Sequence, residues 1–320
     1  MNLLLLSDVH GTYKTPVSRK DRVGEAFEQK IDFVFRYAKE HGCVILQAGD
    51  LGDTSRNWEV LHYMINVLRQ YQVIMLGVYG QHDLYMRRDP DETPTALSVL
   101  MHSTQMMQLG KQPVHMNNVA IYGSSWNGPI PKVKPGGQKR NVLVLHAPIA
   151  RRAEYPGHDF TDPDQFLERH KGFDLVLAGD VHRHFCYVTG KYLMDRRYVI
   201  NTGPVLRLEA SRYMMRHKPC FYVYDTNDNS IEKVIIPHAP SKKVLTREHI
   251  VQKNISSTEL EQFANSIKTM TSMTQNRDAK LKKFVRANVK SRRVRRIIKE
   301  VMRGKFDSTI GRHRRTGASI

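Results

Sequence analysis

The chain has 320 residues, 40% of them hydrophobic, and no apolar run of membrane-spanning length, so a sizeable core is expected and a spanning helix is not. Its formal charge of +19 is uneven: residues 241–320 hold 21 Lys and Arg against 6 Asp and Glu, a net of +15, while the preceding 240 residues hold 29 against 25, a net of +4. This asymmetry argues for a near-neutral body with a basic appendage for a polyanion, nucleic acid before a membrane surface, with a merely solvated tail as the alternative.

Leu3–Leu6 predicts a short buried strand ending in Ser7-Asp8-Val9-His10-Gly11. The run before Asp8 is too short, and lacks the basic flank, for a signal peptide. Val23, Phe27, Ile31, Val34 and Ala38 recur at helical spacing, predicting an amphipathic helix over about residues 21–40 that Gly42 stops. Cys43–Leu46 is a second strand, ending in Gly49-Asp50-Leu51-Gly52-Asp53, and Leu61, Met64, Ile65 and Leu68 mark a second helix. A third strand, Val73–Val78, runs into Gly80-Gln81-His82-Asp83. Residues 86–96 predict a surface loop over the site, and 96–101 a short helix.

Further strands are expected at Asn118–Gly123 and at Val142–Leu145, the latter ending in His146, with a Gly-, Pro- and Lys-rich mobile stretch, Asn127–Gln138, between them. Asp174–Ala178 is another, ending in Gly179-Asp180-Val181-His182-Arg183-His184. Tyr187–Val188, Tyr198–Asn201 and Phe221–Tyr224 follow, joined by turns such as Thr226–Asn229. Two packed sheets flanked by helices fit this order better than one doubly wound sheet. Cys43, Cys186 and Cys220 are scattered beside apolar runs without CxxC spacing. They read as reduced core residues of a soluble, cytoplasmic protein.

Five strand ends thus carry oxygen or nitrogen donors: Asp8 with His10, Asp50, Gln81, His146, and Asp180 with His182. No thiolate is among them, which suits Mn²⁺, Mg²⁺, Fe or Zn²⁺ in an oxygen- and nitrogen-lined site. Seven donors exceed one tetrahedral ion and suit two ions sharing a bridging carboxylate, the arrangement that promotes phosphoryl displacement.

These blocks, Asp8-Val9-His10, Gly49-Asp50-Leu51-Gly52-Asp53, Gly80-Gln81-His82-Asp83, His146 and Gly179-Asp180-Val181-His182, resemble those of calcineurin-like metallophosphoesterases, in family order. The resemblance implies an α/β (α+β) fold: a four-layer β-sandwich flanked by helices over residues 1–237, with a basic helical extension over 238–320. Within the superfamily the likeness is closest to the SbcD-like nuclease subunit of a double-strand-break repair complex. Asn201–Glu209 looks like that branch's Gly-Ser-x-x-Arg-hydrophobic segment, and the C-terminal extension adds to the likeness.

The resemblance implies that Asp8, His10 and His182 hold one metal, that Gln81, His146 and Asp180 hold another, and that Asp50 bridges them. His82 would face the scissile phosphate as a catalytic group oriented by Asp83, with Asp53 in support. Two positions depart from the family pattern. Gln81 stands where the family has asparagine, one methylene longer, so its oxygen would reach a metal only after a shift of about 1 Å. Asp180 stands where histidine is usual, and its added negative charge favours harder ions, Mn²⁺ above all.

The implied activity is a two-metal phosphodiesterase, a DNA exonuclease or endonuclease. Left open are a phosphoesterase acting on RNA, nucleotides or phosphoproteins, and a non-catalytic nucleic-acid-binding subunit with a decayed second metal site. Ser256-Ser257-Thr258-Glu259 reads as a capping box before a helix with Leu260, Phe263, Ala264 and Ile267 on one face. Leu281–Val301 predicts further basic helices, and residues 311–320 a disordered end. Arg292–Lys299 fits DNA contact, docking on a coiled-coil ATPase subunit, or a solvated face packed at home. A homodimer is compatible with this reading. A membrane partner is not expected, since the apolar face has few large aromatics.

Overall fold

The structure is a computed structural model that describes residues 1–88, 93–103, 106–133, 139–151 and 159–248. The chain divides into two units, Met1–Arg247 and Glu248–Ile320, and both sheets belong to the first. The capping box at Ser256, the basic helices, the disordered end, and parts of the 86–96 and 127–138 loops lie outside the described residues.

The first half runs β1 (Asn2–Leu6), α1 (Val23–Glu40), β2 (Cys43–Ala48), α2 (Trp58–Tyr71), β3 (Met75–Val78), α3 (Ala96–His102) and β4 (Met107–Gln108). The second runs β5 (Val114–Met116), β6 (Val119–Ser124), β7 (Arg140–His146), α4 (Pro163–Arg169), β8 (Leu175–Gly179), β9 (Phe185–Thr189) and β10 (Arg197–Asn201). β11 (Cys220–Asp225), β12 (Ser230–Ile235) and the short α5 (Ser241–Val244) close the unit. Two six-stranded sheets result, ordered β12-β11-β1-β2-β3-β4 and β5-β6-β7-β8-β10-β9. β1 to β4 are parallel, as are β6, β7, β8 and β10, while β11, β12, β5 and β9 pair antiparallel at the margins.

Strand alternation builds the layers. Leu3 and Leu5 of β1 join Val44, Leu46, Val142, Val144, Leu175 and Leu177 between the sheets. Leu4 and Leu6 point the other way, onto Phe27, Ile31 and Val34 of α1 and Met64 of α2. On the outer face of the second sheet, Leu143, Leu145 and Val176 pack with Phe166 and Leu167 of α4. The central strands are covered on both faces, which is why they read as unbroken apolar runs. Each fully buried leucine of β1 stabilises the sandwich by about 1.5–3 kcal/mol.

The four layers match the expected fold class. β4, β5, β12 and α4 were not foreseen. The first two span only two and three residues, too few for a period to register. β12 mixes charge and apolar groups because it is a half-exposed edge. α4 carried a readable start, Asp162 accepting from the Asp164 amide with Pro163 at its first turn. Residues beyond Pro237 stay bonded to this unit, with the Lys20 and Thr246 amides donating to the carbonyls of Val244 and Ser18. Among the described residues no helix is long and apolar enough to cross a membrane.

Candidate metal centre

The parallel strands of both sheets end at one place. The loop after β1 is tied to the loop after β2 by amides of Asp8, His10 and Gly11, which donate to the carbonyls of Gly49, Asp50 and Leu51. Asp8, His10, Asp50 and Asp180 all adopt left-handed backbone, with φ of 48°, 47°, 55° and 93°. Each such non-glycine residue costs about 1–3 kcal/mol and persists only where its surroundings enforce it. The four coincide with candidate ligands, so the strain is spent on aiming side chains inward. Gly49 and Gly80 allow the close approach: a Cβ on Gly49 would meet the His146 ring and the Gly80 amide, and one on Gly80 would meet the Asp50 carboxylate.

All seven expected donors converge. His10 Nε2 lies 2.9 Å from His182 Nε2 and 3.7 Å from Asp50 Oδ2. His146 Nε2 lies 3.5 Å from Asp50 Oδ2 and 3.8 Å from Asp180 Oδ1. Three overlapping groups keep their ligand atoms within 4.8 Å of one another: Asp8, His10 and His182; Asp8, Asp50 and His146; and His10, Asp50 and His82. His146 is aimed by its Nδ1, which donates to the Ala48 carbonyl at 2.7 Å and leaves Nε2 to face Asp50.

The electrostatics leave a deficit of positive charge. Burial pushes the Asp8 carboxyl up to about 6. Burial, with the charges of Asp83 and Asp8 added, pushes Asp50 up to about 10. Burial and the neighbouring His182, His82 and His146 rings push His10 well below the usual imidazole range, and burial lowers His182 as well. Neutral imidazoles and buried carboxylates are ligands in want of a cation. Asp8 Oδ2, Asp50 Oδ2, Gln81 Oε1, His146 Nε2 and His10 Nδ1 are buried without hydrogen-bond partners. Such orphaned atoms are rare in folded chains, and most of these face the cluster, so the residues fit a divalent pair.

Gln81 and Asp180, the two departures from the family pattern, are partners. Gln81 Nε2 donates to Asp180 Oδ1 at 2.8 Å, and its Oε1 stays free within the site. The longer side chain is thus turned toward the group that replaces histidine.

One expectation is corrected. Asp83 does not orient His82. Its carboxylate accepts from the backbone amides of Asp50, Gly52 and Gly80 at 2.7, 3.2 and 2.9 Å, and it is buried beneath the loops. The carboxylate is committed to these three amides, and no hydrogen bond joins it to the His82 ring. His82 Nδ1 instead donates to the Asp53 carbonyl at 3.2 Å, leaving its exposed ring at the mouth of the cluster. The His82 amide donates to Asp50 Oδ1 at 2.9 Å. The Asp53 carboxylate lies 3.9 Å from His10 Nδ1. His184, two residues beyond His182, bonds instead to Tyr213 and Lys233.

Two supporting groups were missed. Gln47, inside β2, accepts from the Gly49 amide and donates to the Gly49 carbonyl, and the Thr202 hydroxyl bonds both the amide and the hydroxyl of Ser7. A polar residue inside a buried strand was the available signal for Gln47. Thr202 carried none, because its partner is 195 residues away.

The family model described as calcineurin-like phosphoesterase matches residues 1–184. No curated protein matches the chain. Among solved structures, TT1561 of Thermus thermophilus is similar at 11% identity and a TM-score of 0.45, covering 74% of this chain and 99% of that one. Hypothetical protein PH1004 from Pyrococcus horikoshii is similar at 14% identity and a TM-score of 0.39, covering 81% and 94%.

Proposed function

The chain belongs to the calcineurin-like phosphoesterase family, and from that membership we propose that it is a two-metal phosphodiesterase acting on DNA, of the SbcD-like nuclease type. The observation that carries the hydrolytic reading is the convergence of Asp8, His10, Asp50, Gln81, His146, Asp180 and His182, with buried donor atoms lacking partners. Asp8, His10 and His182 would hold one ion, Gln81, His146 and Asp180 the other, and Asp50 would be shared. When bound, the ions supply an activated water and charge stabilisation for an in-line phosphoryl displacement, with Mn²⁺ favoured by the carboxylate-rich donor set.

The chain's own residues do the rest. His82 is exposed beside the cluster, and its Nδ1–H is held by the Asp53 carbonyl. When the ring is protonated, its Nε2–H is the proton available to the leaving oxygen. Asp83 keeps the loops bearing Asp50 and His82 in register through its three amide bonds.

A nucleic-acid substrate is supported by guanidiniums stacked on rings in the loops near the site: Arg56 over Tyr85 at 4.0 Å, Arg87 over Trp126 at 5.2 Å and Arg183, next to His182, over Tyr213 at 5.1 Å. Such pairs hold cations rigidly where a phosphate backbone could pass, and they offer π-faces to unpaired bases. The basic residues 241–320 would add phosphate contacts or dock an ATPase subunit. Of the three free cysteines, Cys43 and Cys220 are buried, while Cys186, expected in the core, is exposed on the edge strand β9; a reducing, cytoplasmic compartment suits all three thiols.

The test incubates the full chain and Mn²⁺ with labelled single- and double-stranded DNA, with RNA and bis-p-nitrophenyl phosphate alongside. Cleavage of DNA is expected. Hydrolysis of the small ester alone would overturn the DNA assignment and leave the phosphoesterase.

A further inference from the structure

A second cluster of cations is buried away from the metal ligands. Arg19, Lys30 and Arg207 are 7%, 4% and 3% exposed, and all three line a cavity of about 160 Å³ between α1, the 206–208 segment and the strand exit at Pro237–Ala239. Asp21 is the one carboxylate among them with an ion pair here, and both its oxygens are taken by Arg19 at 2.7 and 2.6 Å. Glu25 pairs with the exposed Arg22 at the rim. Among the described residues, neither Lys30 nor Arg207 has a carboxylate within ion-pair distance. Arg207 Nε is buried with no hydrogen-bond partner at all.

Buried cations without counter-ions are costly, so a fold that retains two side by side has a reason to do so. Lys30 is not idle. Its Nζ donates to the Val205 carbonyl at 2.6 Å, and the Val205 amide donates to the carbonyl of Asp8 at 3.2 Å. One residue therefore separates the cavity from the metal-binding loop.

We propose that this cavity is a binding site for a phosphate-class oxyanion, held by Lys30 and Arg207 with Arg19 behind them and linked to the Asp8 loop through Val205. The volume suits a phosphate group: cavities of about 150 Å³ hold a molecule the size of benzene. A nucleotide would seat its phosphate and leave its base outside. An anion here would neutralise the pair. Burial and the charges of Arg207 and Arg19, partly offset by Asp21, push Lys30 down to about 7, and an anion beside it would favour its protonated form. A product phosphate or mononucleotide bound here would report to the Asp8 loop, giving the enzyme a sensor for what it releases.

The test needs no hydrolysis, so it stands or falls apart from the DNA assignment. The full-length chain, stripped of metal and dialysed free of chelator, is titrated calorimetrically with inorganic phosphate and, in a second arm, with 5′-dAMP. One saturable phosphate per chain is expected, at least tenfold weaker in Arg207→Gln. A second variant, Gln29→Glu, places a carboxylate on an exposed lining position and should weaken binding several-fold without threatening the fold. Tighter binding of 5′-dAMP would assign the site to a terminal phosphate, and equal or weaker binding to the free ion. No saturable uptake, or uptake unchanged in both variants, would overturn the site and move any binding to the other basic surfaces.

Discussion

His82 and its neighbours illustrate what single residues decide. The ring is held by the Asp53 carbonyl and stands outside the buried donors, so His82→Ala should lower hydrolysis by about 10²- to 10⁴-fold while metal content stays at the wild-type value. Loss of metal along with activity would make His82 a ligand instead. Gln81 and Asp180 should behave as one unit, because the amide of one donates to the carboxylate of the other. Gln81→Asn and Asp180→His should each weaken metal uptake. The double change restores the family's pairing and should lose less than the two single effects combined; simple additivity would mean that the hydrogen bond matters little. Asp50 sets a pH dependence. Its burial, added to the charges of Asp83 and Asp8, keeps a proton on the metal-free carboxyl up to about 10, and a bound cation must displace it. Divalent affinity should therefore rise between pH 6 and 8, by up to about tenfold per pH unit for each proton released. Calorimetry in buffers of different ionisation enthalpy reads that release directly, and an affinity flat with pH would contradict it.

At the scale of elements, the site is a set of loops braced from below. The loops after β2 and β3 meet through Asp83, whose two carboxylate oxygens accept from three amides. Asp83→Asn replaces one accepting oxygen with a donor and turns it toward at least one N–H. A stability loss of about 1–3 kcal/mol in urea is expected, with weakened metal binding. An unchanged midpoint would show the brace to be dispensable. The positions of these loops were legible because each follows a strand covered on both faces. The brace was not. An acid beside a histidine reads as a pair along the chain, but the Asp83 carboxylate is buried on backbone amides while the His82 ring stays exposed on the Asp53 carbonyl.

For the whole molecule, the uneven charge is the feature with the largest reach. If residues beyond Arg247 carry phosphate contacts, a chain ending there should keep metal-dependent hydrolysis of a small ester. Its DNA binding should be weaker, with a shallower dependence on salt, because each phosphate contact contributes a slope of about 0.9 in log affinity against log salt on duplex DNA. An identical slope with and without the segment would place DNA contact elsewhere. The sandwich itself was readable from unbroken apolar runs. Its two shortest edge strands and the polar β12 were not, since edges need no buried stripe.

The sequence by itself determined the class of this protein: buried strands, each ending in acid or imidazole groups, in an order that a family of phosphoesterases shares. That information is local, because a strand covered on both faces must be apolar and the residue after it is free to be polar. Tertiary structure alone decided which polar groups meet. Gln81 finds Asp180 across 99 residues, Thr202 finds Ser7 across 195, and Lys30 finds the Val205 carbonyl across 175. No spacing rule encodes such contacts, because they follow from how two sheets stack and where a helix lies against them.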